Sequence, residues 1–169
     1  MKLETSKWKP FRIGDYFEVT YGKFLGKDIV EDEYSNEKPF RHITTTDSNN
    51  GIGGYVSEAM YEGNCITVAS DGNQGASFYQ DEPYSTSNIV SSLIPKEKTP
   101  MSKYVGLFIA TLTRQEGTKY SWAGWKFSVE RVRETLLYLP AIMNSLPDWA
   151  KLATYLPTIL QKMVPEVSI

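Results

Sequence analysis

Amide, hydroxyl and basic side chains are concentrated between the apolar segments of this 169-residue chain. Asn and Gln can hydrogen-bond adenine at two points, Arg and Lys can bond guanine, and Ser or Thr can bond either base, provided that their loop reaches a DNA groove. The stretches that offer such groups are TTTDSNN (44–50), NQ (73–74) and STSN (85–88). Because polar residues occupy most surface loops, this enrichment alone is also compatible with ordinary solvent-exposed turns.

The glycine-rich stretch SDGNQG (70–75) follows a predicted strand and admits two interpretations. Its backbone N–H groups could bind an anion, as successive N–H groups do in phosphate-binding nests. It lacks the lysine of phosphate-gripping loops, and it leads into another predicted strand rather than a helix. A structural hairpin or bulge, in which glycines adopt positive φ, needs no ligand. Both interpretations stay open at this stage.

Cations alternate with aromatic residues in TKYSWAGWKFS (118–128). Lys119 and Lys126 could neutralise phosphates, while Tyr120, Trp122 or Trp125 could pack on sugars or bases. The competing interpretation buries the tryptophans beneath a sheet, and we expect one of the two to lie in the core.

Signals for catalysis are weak. The chain has no G-x-S-x-G elbow, no P-loop, and no G-x-G-x-x-G between strand and helix. Asp148 of the PD dipeptide is not followed by E-x-K and is better explained as a helix-start residue. Cys65 lies in the apolar run NCITVAS, which predicts a buried small hydrophobe, and as a nucleophile it would need His42 as its base. We expect His42 to be a half-buried strand residue, and we predict no catalytic residue and no metal ligand.

Composition indicates one globular domain, with 41% hydrophobic and 22% charged residues. The net charge of −2 argues against a surface covered in positive charge, although the Lys23–Lys27 stretch and residues 119–126 are locally basic. The first residues do not resemble a signal peptide, and no run approaches 18 apolar residues. We therefore expect a cytoplasmic protein with no membrane contact.

Hydrophobic patterns predict an α+β fold. Alternating or β-branched segments predict strands at 16–22, 40–45, 64–70, 75–80 and 88–94, separated by glycines or Asn/Asp clusters. They are expected to form a curved, mostly antiparallel β-sheet.

Helices are expected to flank this sheet. Thr99 and Pro100 introduce a predicted helix over 101–116, which Gly117 is expected to end. Ser128 opens a shorter helix that runs into a strand, TLLYLPA. Ser145 and Asp148 resemble a capping pair for a C-terminal helix, in which Pro157 should introduce a kink or an early end.

Seven segments in order resemble the target recognition domain of a Type I restriction–modification specificity subunit, or of a related restriction enzyme. They are WKPFRIGDYFEVTYGK, TTTDSNNGIGGYVSE, GNCITVASDGNQGASFYQ, PYSTSNIVSSLIP, YVGLFIATL, KYSWAGWKFS and LPDW, and they cover about residues 8 to 150. By this resemblance, NNGIGGYV and SDGNQG are loops that turn the sheet, some of them facing DNA.

The resemblance implies a non-catalytic module that reads part of a bipartite target in double-stranded DNA. Residues 1–145 would be the recognition domain, and residues 146–169 a C-terminal helix acting as a truncated spacer or subunit-contact helix. No cofactor is expected in this chain, because S-adenosylmethionine, ATP and Mg would belong to a partner methyltransferase subunit and, in some systems, a restriction subunit. Family subunits normally contain two such domains, so we expect self-association or pairing with a second recognition domain, unless the chain is a fragment. The chain thus departs from the family pattern in having one domain, and its acidic pI of about 5.5 is a second departure from that pattern.

DNA contacts are predicted at thirteen positions. Phosphate contacts are predicted for Lys23, Lys27, Lys119 and Lys126. Base reading is predicted for some of Arg41, Thr45, Asn49, Asn73, Gln74, Ser87 and Asn88, and Asn50 and Tyr120 are further candidate contacts. Two rival functions remain open: a β-rich carbohydrate- or peptide-binding module that uses exposed Trp or Tyr, and a small hydrolase or nuclease.

Overall fold

The computed structural model describes residues 4–26, 29–122, 125–143 and 146–163. Its elements, in chain order, are β1 (Lys9–Arg12), the single helical turn α1 (Ile13–Tyr16), β2 (Phe17–Tyr21), β3 (Phe40–Ile43), a 3-10 turn (Asn49–Gly51), β4 (Ile52–Val56), β5 (Cys65–Ala69), β6 (Ser77–Gln80), β7 (Tyr84–Thr86), β8 (Val90–Pro95), α2 (Lys103–Trp122), α3 (Val129–Glu134), β9 (Leu136–Leu139), β10 (Ala141–Ile142), β11 (Leu146–Pro147) and α4 (Trp149–Met163).

The predicted α+β class with mostly antiparallel strands is confirmed. A four-stranded antiparallel sheet has the order β2-β8-β5-β6, and a three-stranded sheet has the order β4-β3-β7. Within the second sheet β3 and β7 run parallel, and the register between β3 and β4 shifts between Arg41 and Ile43, an irregularity of the kind that bends a strand. The Tyr84 hydroxyl of β7 donates a hydrogen bond of 3.0 Å to Ser92 Oγ of β8, which ties the two sheets together.

Helix α2 covers the four-stranded sheet. Val105, Phe108 and Ile109 recur at helical spacing and are buried in the same core as Ile66 and Leu93 of the sheet. Full burial of each such side chain contributes about 1.5–3 kcal/mol, so this contact holds α2 firmly over β5 and β6. Helix α4 adds Leu152 and Tyr155 to the core, with the Trp8 ring stacked on Tyr155 at 6.1 Å.

The prediction that Gly117 ends helix α2 is wrong, because the helix continues to Trp122. Gly117 lies where α2 meets the turn before β6, and a Cβ at this position would be 2.3 Å from the Cα of Gly75. Only glycine fits at position 117, because the backbones of α2 and of the turn are in contact there. A local sequence pattern does not reveal such a contact between distant segments.

The caps of the later helices agree with the sequence analysis where the structure describes them. Ser128 Oγ accepts from the backbone N–H of Arg131, and Asp148 Oδ1 accepts from that of Lys151 at 3.0 Å. Ser145 lies outside the described residues. Of the two outcomes expected at Pro157, the early end of α4 is wrong, since the helix runs on to Met163, and the kink stays a prediction. An internal proline removes one intrahelical hydrogen bond, and the remaining bonds are sufficient to carry the helix past it here.

Candidate nucleic-acid interface

The strand registers bring the polar loops to one end of the molecule. Tyr21 at the end of β2 pairs with Ser91 near the start of β8, and Ala69 at the end of β5 pairs with Val90. In the second sheet, Ile43 at the end of β3 pairs with Thr86 at the end of β7. The segments that follow or precede these strand ends form one surface, which we call the loop edge: residues 22–26, 44–51, 70–76 and 87–89.

Hydrogen bonds between these loops hold the loop edge together. The Asn73 side-chain amide donates to the carbonyl of Thr45 at 3.0 Å. The backbone N–H of Ser87 donates to the carbonyl of Ile43 at 3.0 Å, which extends the pairing of β3 with β7 into the loop. Ser70 donates to the carbonyl of Ile89 through both its backbone N–H, at 3.0 Å, and its hydroxyl, at 2.8 Å. The loop edge is therefore a connected surface.

Within the loop edge, SDGNQG is a structural turn. Gly72 and Gly75 adopt positive φ angles of 67° and 79°. The N–H of Gly72 donates to Asp71 Oδ1 at 2.9 Å, that of Gly75 to the carbonyl of Ala69 at 2.8 Å, and that of Gln74 to the carbonyl of Gly72 at 2.9 Å. Because the turn itself occupies these donors, the hydrogen bonds favour the structural interpretation over the anion nest.

The turn over residues 49–51 leads directly into β4, so only the first part of NNGIGGYV is loop. Asn49 and Asn50 both adopt left-handed backbone conformations, with φ of 48° and 53°. The Asn50 amide donates to the Tyr79 carbonyl at 3.2 Å and to Gln80 Oε1 at 3.1 Å, and Gln80 Nε2 donates back to the Asn50 carbonyl at 3.0 Å. Asn50 thus anchors the turn to β6, whereas Asn49 is exposed.

Two basic side chains beside the loop edge, those of Lys126 and Arg114, pair with acidic side chains on it. Lys126 Nζ lies 2.7 Å from Asp71 Oδ2, and this contact lowers the pKa of Asp71 and raises the pKa of Lys126. Arg114 of α2 pairs with Asp47 beside a small cleft of about 220 Å³ that Asn73 and other residues of the 70–76 turn also line.

Arg114 is not among the contacts that the sequence predicts. Its guanidinium lies 5.7 Å from the centre of the Phe78 ring, on the side of α2 that approaches the turn. The helical pattern identifies the buried stripe of α2, but it does not say which loop the flanking positions meet. Sequence alone therefore gave no signal for this residue.

Several predicted contacts lie on the loop edge with different degrees of exposure. Lys23 and Asn88 are exposed, and neither side chain makes an ion pair or hydrogen bond with another described residue. Thr45, Gln74 and Ser87 are half-buried. Lys27 lies outside the described residues.

Two further candidates, Lys119 and Tyr120, lie beyond the loop edge, on the last turns of α2. Lys119 pairs with Glu116 on the same helix. Tyr120 is half-buried, and its ring stacks on Phe127 with centres 4.9 Å apart. The N–H of Phe127 donates to the carbonyl of Ser70 at 3.1 Å, so this region adjoins the loop edge.

Arg41 is not brought to the loop edge. It lies near the start of β3, where its guanidinium contacts Asp81 at 3.1 Å and Glu82 at 2.9 Å in the loop between β6 and β7. That loop emerges from the opposite end of the sheets, so the structure separates Arg41 from the other described candidates.

Of the two tryptophans, Trp125 is 59% exposed and therefore not the core residue that we expected one of them to be. The Arg131 guanidinium lies 4.8 Å from the centre of its ring. Phe127, which is fully buried, fills the core position in this segment. The Trp122 side chain lies outside the described part of the chain.

Cys65 and His42 are both buried, at 4% and 5% exposure. The prediction for Cys65 is confirmed: burial raises the pKa of its thiol, whose Sγ donates to the carbonyl of Gly63 at 3.1 Å. His42 is more buried than expected, and burial lowers the pKa of its imidazole.

Among the described residues, no group of three or more His, Cys, Asp or Glu side chains could hold a metal ion. In the same part of the chain, no helix is both long and apolar enough to span a bilayer.

Comparison with known proteins identifies the family of this chain and supports its mixed α+β fold. The family model for the Type I restriction modification DNA specificity domain matches residues 5–162. The chain therefore belongs to the family of Type I restriction–modification DNA specificity domains. No comparison supports a carbohydrate- or peptide-binding module.

One sequence relative and two solved structures are similar to this chain over most of its length. The chain is 30% identical over 164 residues to the specificity subunit S.BcgI of a Type II restriction enzyme from Heyndrickxia coagulans, covering 96% of this chain and 46% of that subunit. The Type I S subunit from M. genitalium has a TM-score of 0.65 at 16% identity, covering 93% of this chain and 41% of that one. The HsdS subunit from Thermoanaerobacter tengcongensis has a TM-score of 0.63 at 13% identity, covering 96% and 39%. The chain thus spans less than half the length of each.

Proposed function

We propose that this domain reads one part of a bipartite target in double-stranded DNA through the loop edge, and that it carries no catalytic residue itself. The single observation that supports this best is the convergence of the polar loops at one end of two sheets, because base edges can be read only by side chains that project together into a groove. The exposed amides of Asn49, Asn73 and Asn88 are the proposed base-reading groups, with Thr45, Gln74 and Ser87 beside them.

Phosphate contacts fix the register of such a domain on the duplex. Lys23 is the clearest phosphate-binding candidate, since it is exposed and has no acidic partner among the described residues. Its backbone N–H donates to the carbonyl of Thr86 at 3.2 Å, which fixes the start of its loop against β7. Lys119 and Lys126 are further candidates, although each is paired with an acid in the free protein.

The proposed assembly follows from the lengths of the relatives. Because this chain spans 46% of S.BcgI, a complete specificity unit would place it beside a second recognition domain, supplied by another copy or by a longer polypeptide. A methyltransferase subunit, and in some systems a restriction subunit, would supply S-adenosylmethionine, ATP and Mg chemistry. We propose a cytoplasmic location for this assembly.

Two substitutions separate the proposed roles. Lys23→Ala removes a phosphate contact and should weaken binding to cognate and random duplexes alike, reducing the salt slope of log K by about one. Asn88→Ala should weaken cognate binding by about 1–3 kcal/mol at one base position and leave random-sequence binding unchanged. Asn88 suits this test because its side chain holds no hydrogen bond with another described residue.

The measurement is fluorescence anisotropy on a duplex selected from a random library and on a scrambled duplex, at several salt concentrations. Equal losses on both duplexes for both variants would contradict the division of roles. A wild-type protein that binds neither duplex, alone or with its methyltransferase, would overturn the proposed function.

A further inference from the structure

Two basic side chains beside the loop edge are neutralised by aspartates that lie on the loops themselves. Asp71 precedes Gly72 in the 70–76 turn and contacts Lys126, whose side chain is 68% exposed. Asp47 lies in the 44–51 loop and contacts Arg114 of α2. In both cases the cation comes from a different segment and the acid from a loop that also carries a proposed base-reading asparagine.

The position of Asp71 is fixed by the turn. Its Oδ1 accepts the N–H of Gly72 at 2.9 Å, while its Oδ2 faces Lys126 at 2.7 Å. Both carboxylate oxygens are therefore engaged, one by the backbone and one by the cation. The pair also lies at the surface, where exposed ion pairs are weak enough to be exchanged for another partner.

Non-specific DNA affinity comes from cations that replace the counterions of phosphates. A lysine or arginine that is already paired with a carboxylate contributes less to this attraction, since a phosphate must first displace the acid. We infer that Asp47 and Asp71 are specificity-determining residues, which withhold Arg114 and Lys126 from the phosphates of non-cognate DNA. This inference rests on the proposed function.

The arrangement couples cation release to base reading. Asp71 and Asn73 belong to one short turn, and Asp47 and Asn49 belong to one loop, so a loop that shifts to engage a base also shifts its aspartate. The carboxylate can then accept from a cytosine amino group in the major groove, and the freed cation can bond a phosphate or a guanine. Non-cognate DNA lacks the base groups that would draw the carboxylates away, so Lys126 and Arg114 stay paired with Asp71 and Asp47.

The test uses the full chain with Asp71→Asn and Asp47→Asn. Asparagine keeps an oxygen that can accept the Gly72 N–H, so the turn is retained. Asp81→Asn is the matched control, because it removes the same charge at the opposite end of the sheets, where Arg41 keeps its contact with Glu82. Affinity for a scrambled duplex should rise about two- to fivefold in the first two variants at ~0.1 M salt, with a salt slope steeper by up to about one. The control should show no such gain.

A double-mutant cycle separates masking of the cation from simple repulsion by the acid. If Asp71 masks Lys126, the gain from Asp71→Asn should disappear in a Lys126→Ala background. A gain that persists there, or one that Asp81→Asn reproduces, would overturn the inference, as would the absence of any gain. Failure of the wild type and of every variant to bind either duplex would instead refute the proposed function, and the inference with it.

Discussion

For the replacement of Gly117 by alanine, helix propensity and tertiary structure predict changes of opposite sign in the free energy of unfolding. Gly117 lies inside α2, where Gly→Ala ordinarily stabilises a protein by about 0.5–1 kcal/mol. In this structure, however, the new Cβ would lie 2.3 Å from the Cα of Gly75 and 3.1 Å from a ring carbon of Phe127. The nearest contact is with backbone, so no side-chain rotation relieves it.

The size of the effect follows from these distances. Carbon atoms pack best at about 3.5–4.0 Å, so helix and turn must separate by at least about 1.2 Å, the difference between ~3.5 Å and 2.3 Å. Overpacking of this kind costs about 1–3 kcal/mol. Because the 2.3 Å contact is with backbone, we take the upper part of this range, about 2–3 kcal/mol. After a helix-propensity gain of about 1 kcal/mol is subtracted, we expect the free energy of unfolding to fall by about 1–2 kcal/mol.

Urea unfolding followed by circular dichroism measures this change, with Gly26→Ala as the control. A Cβ on Gly26 meets no atom within 4 Å, so that variant should stay within about 0.5 kcal/mol of the wild type. Because Gly117 touches the turn that carries Asn73, the Gly117 variant should also lose discrimination between cognate and scrambled DNA. An unfolding free energy equal to or above that of the wild type would refute the proposed contact.

Three smaller predictions concern stability and reactivity. Ser128→Ala removes the cap of α3 and should lower the free energy of unfolding by about 0.5–2 kcal/mol in urea titrations, and an unchanged value would contradict the capping bond. Burial holds the pKa of His42 below its ordinary value of 6.5, so below that pH the unfolded chain binds more protons than the folded one. The stability that comes from keeping His42 neutral is therefore complete above about pH 6.5 and is lost as the pH falls below it. His42→Leu should lack that part of the pH dependence in unfolding measured between about pH 8 and pH 5, and curves of identical shape would contradict it. The buried Cys65 should react with a thiol reagent at least about ten times more slowly in native protein than in urea-unfolded protein, and equal rates would show that the thiol is accessible.

Local chemistry was enough to predict most of the scaffold. The segment NCITVAS is apolar and β-branched, and it forms the fully buried strand β5. Ser128 and Asp148 are capping residues because their side chains bond the first free N–H groups of a helix, a local interaction that sequence displays. The polar stretches at 44–50 and 70–75 were likewise recognisable as turns, because Asn and Gly favour left-handed conformations.

What the sequence did not reveal depends on residues that are distant along the chain. The parallel pairing of β7 with β3 joins a three-residue strand to one more than forty positions earlier, and no local pattern marks such a partner. Arg41 looked available for base reading, yet its acidic neighbours Asp81 and Glu82 come from another loop. The pairing of Arg114 with Asp47 is equally invisible in the sequence, because the two residues meet only after α2 has packed on the sheet.

Site-specific photo-crosslinking tests most directly whether the loop edge faces DNA. A photoreactive amino acid placed at position 88, on the loop edge, is compared with the same residue placed at position 82, in the loop at the opposite end of the sheets. With the full chain bound to a library-selected duplex, we expect crosslinks to DNA from position 88 and none above background from position 82. Crosslinking from position 82, with none from position 88, would contradict the assignment of the loop edge as the DNA-reading surface.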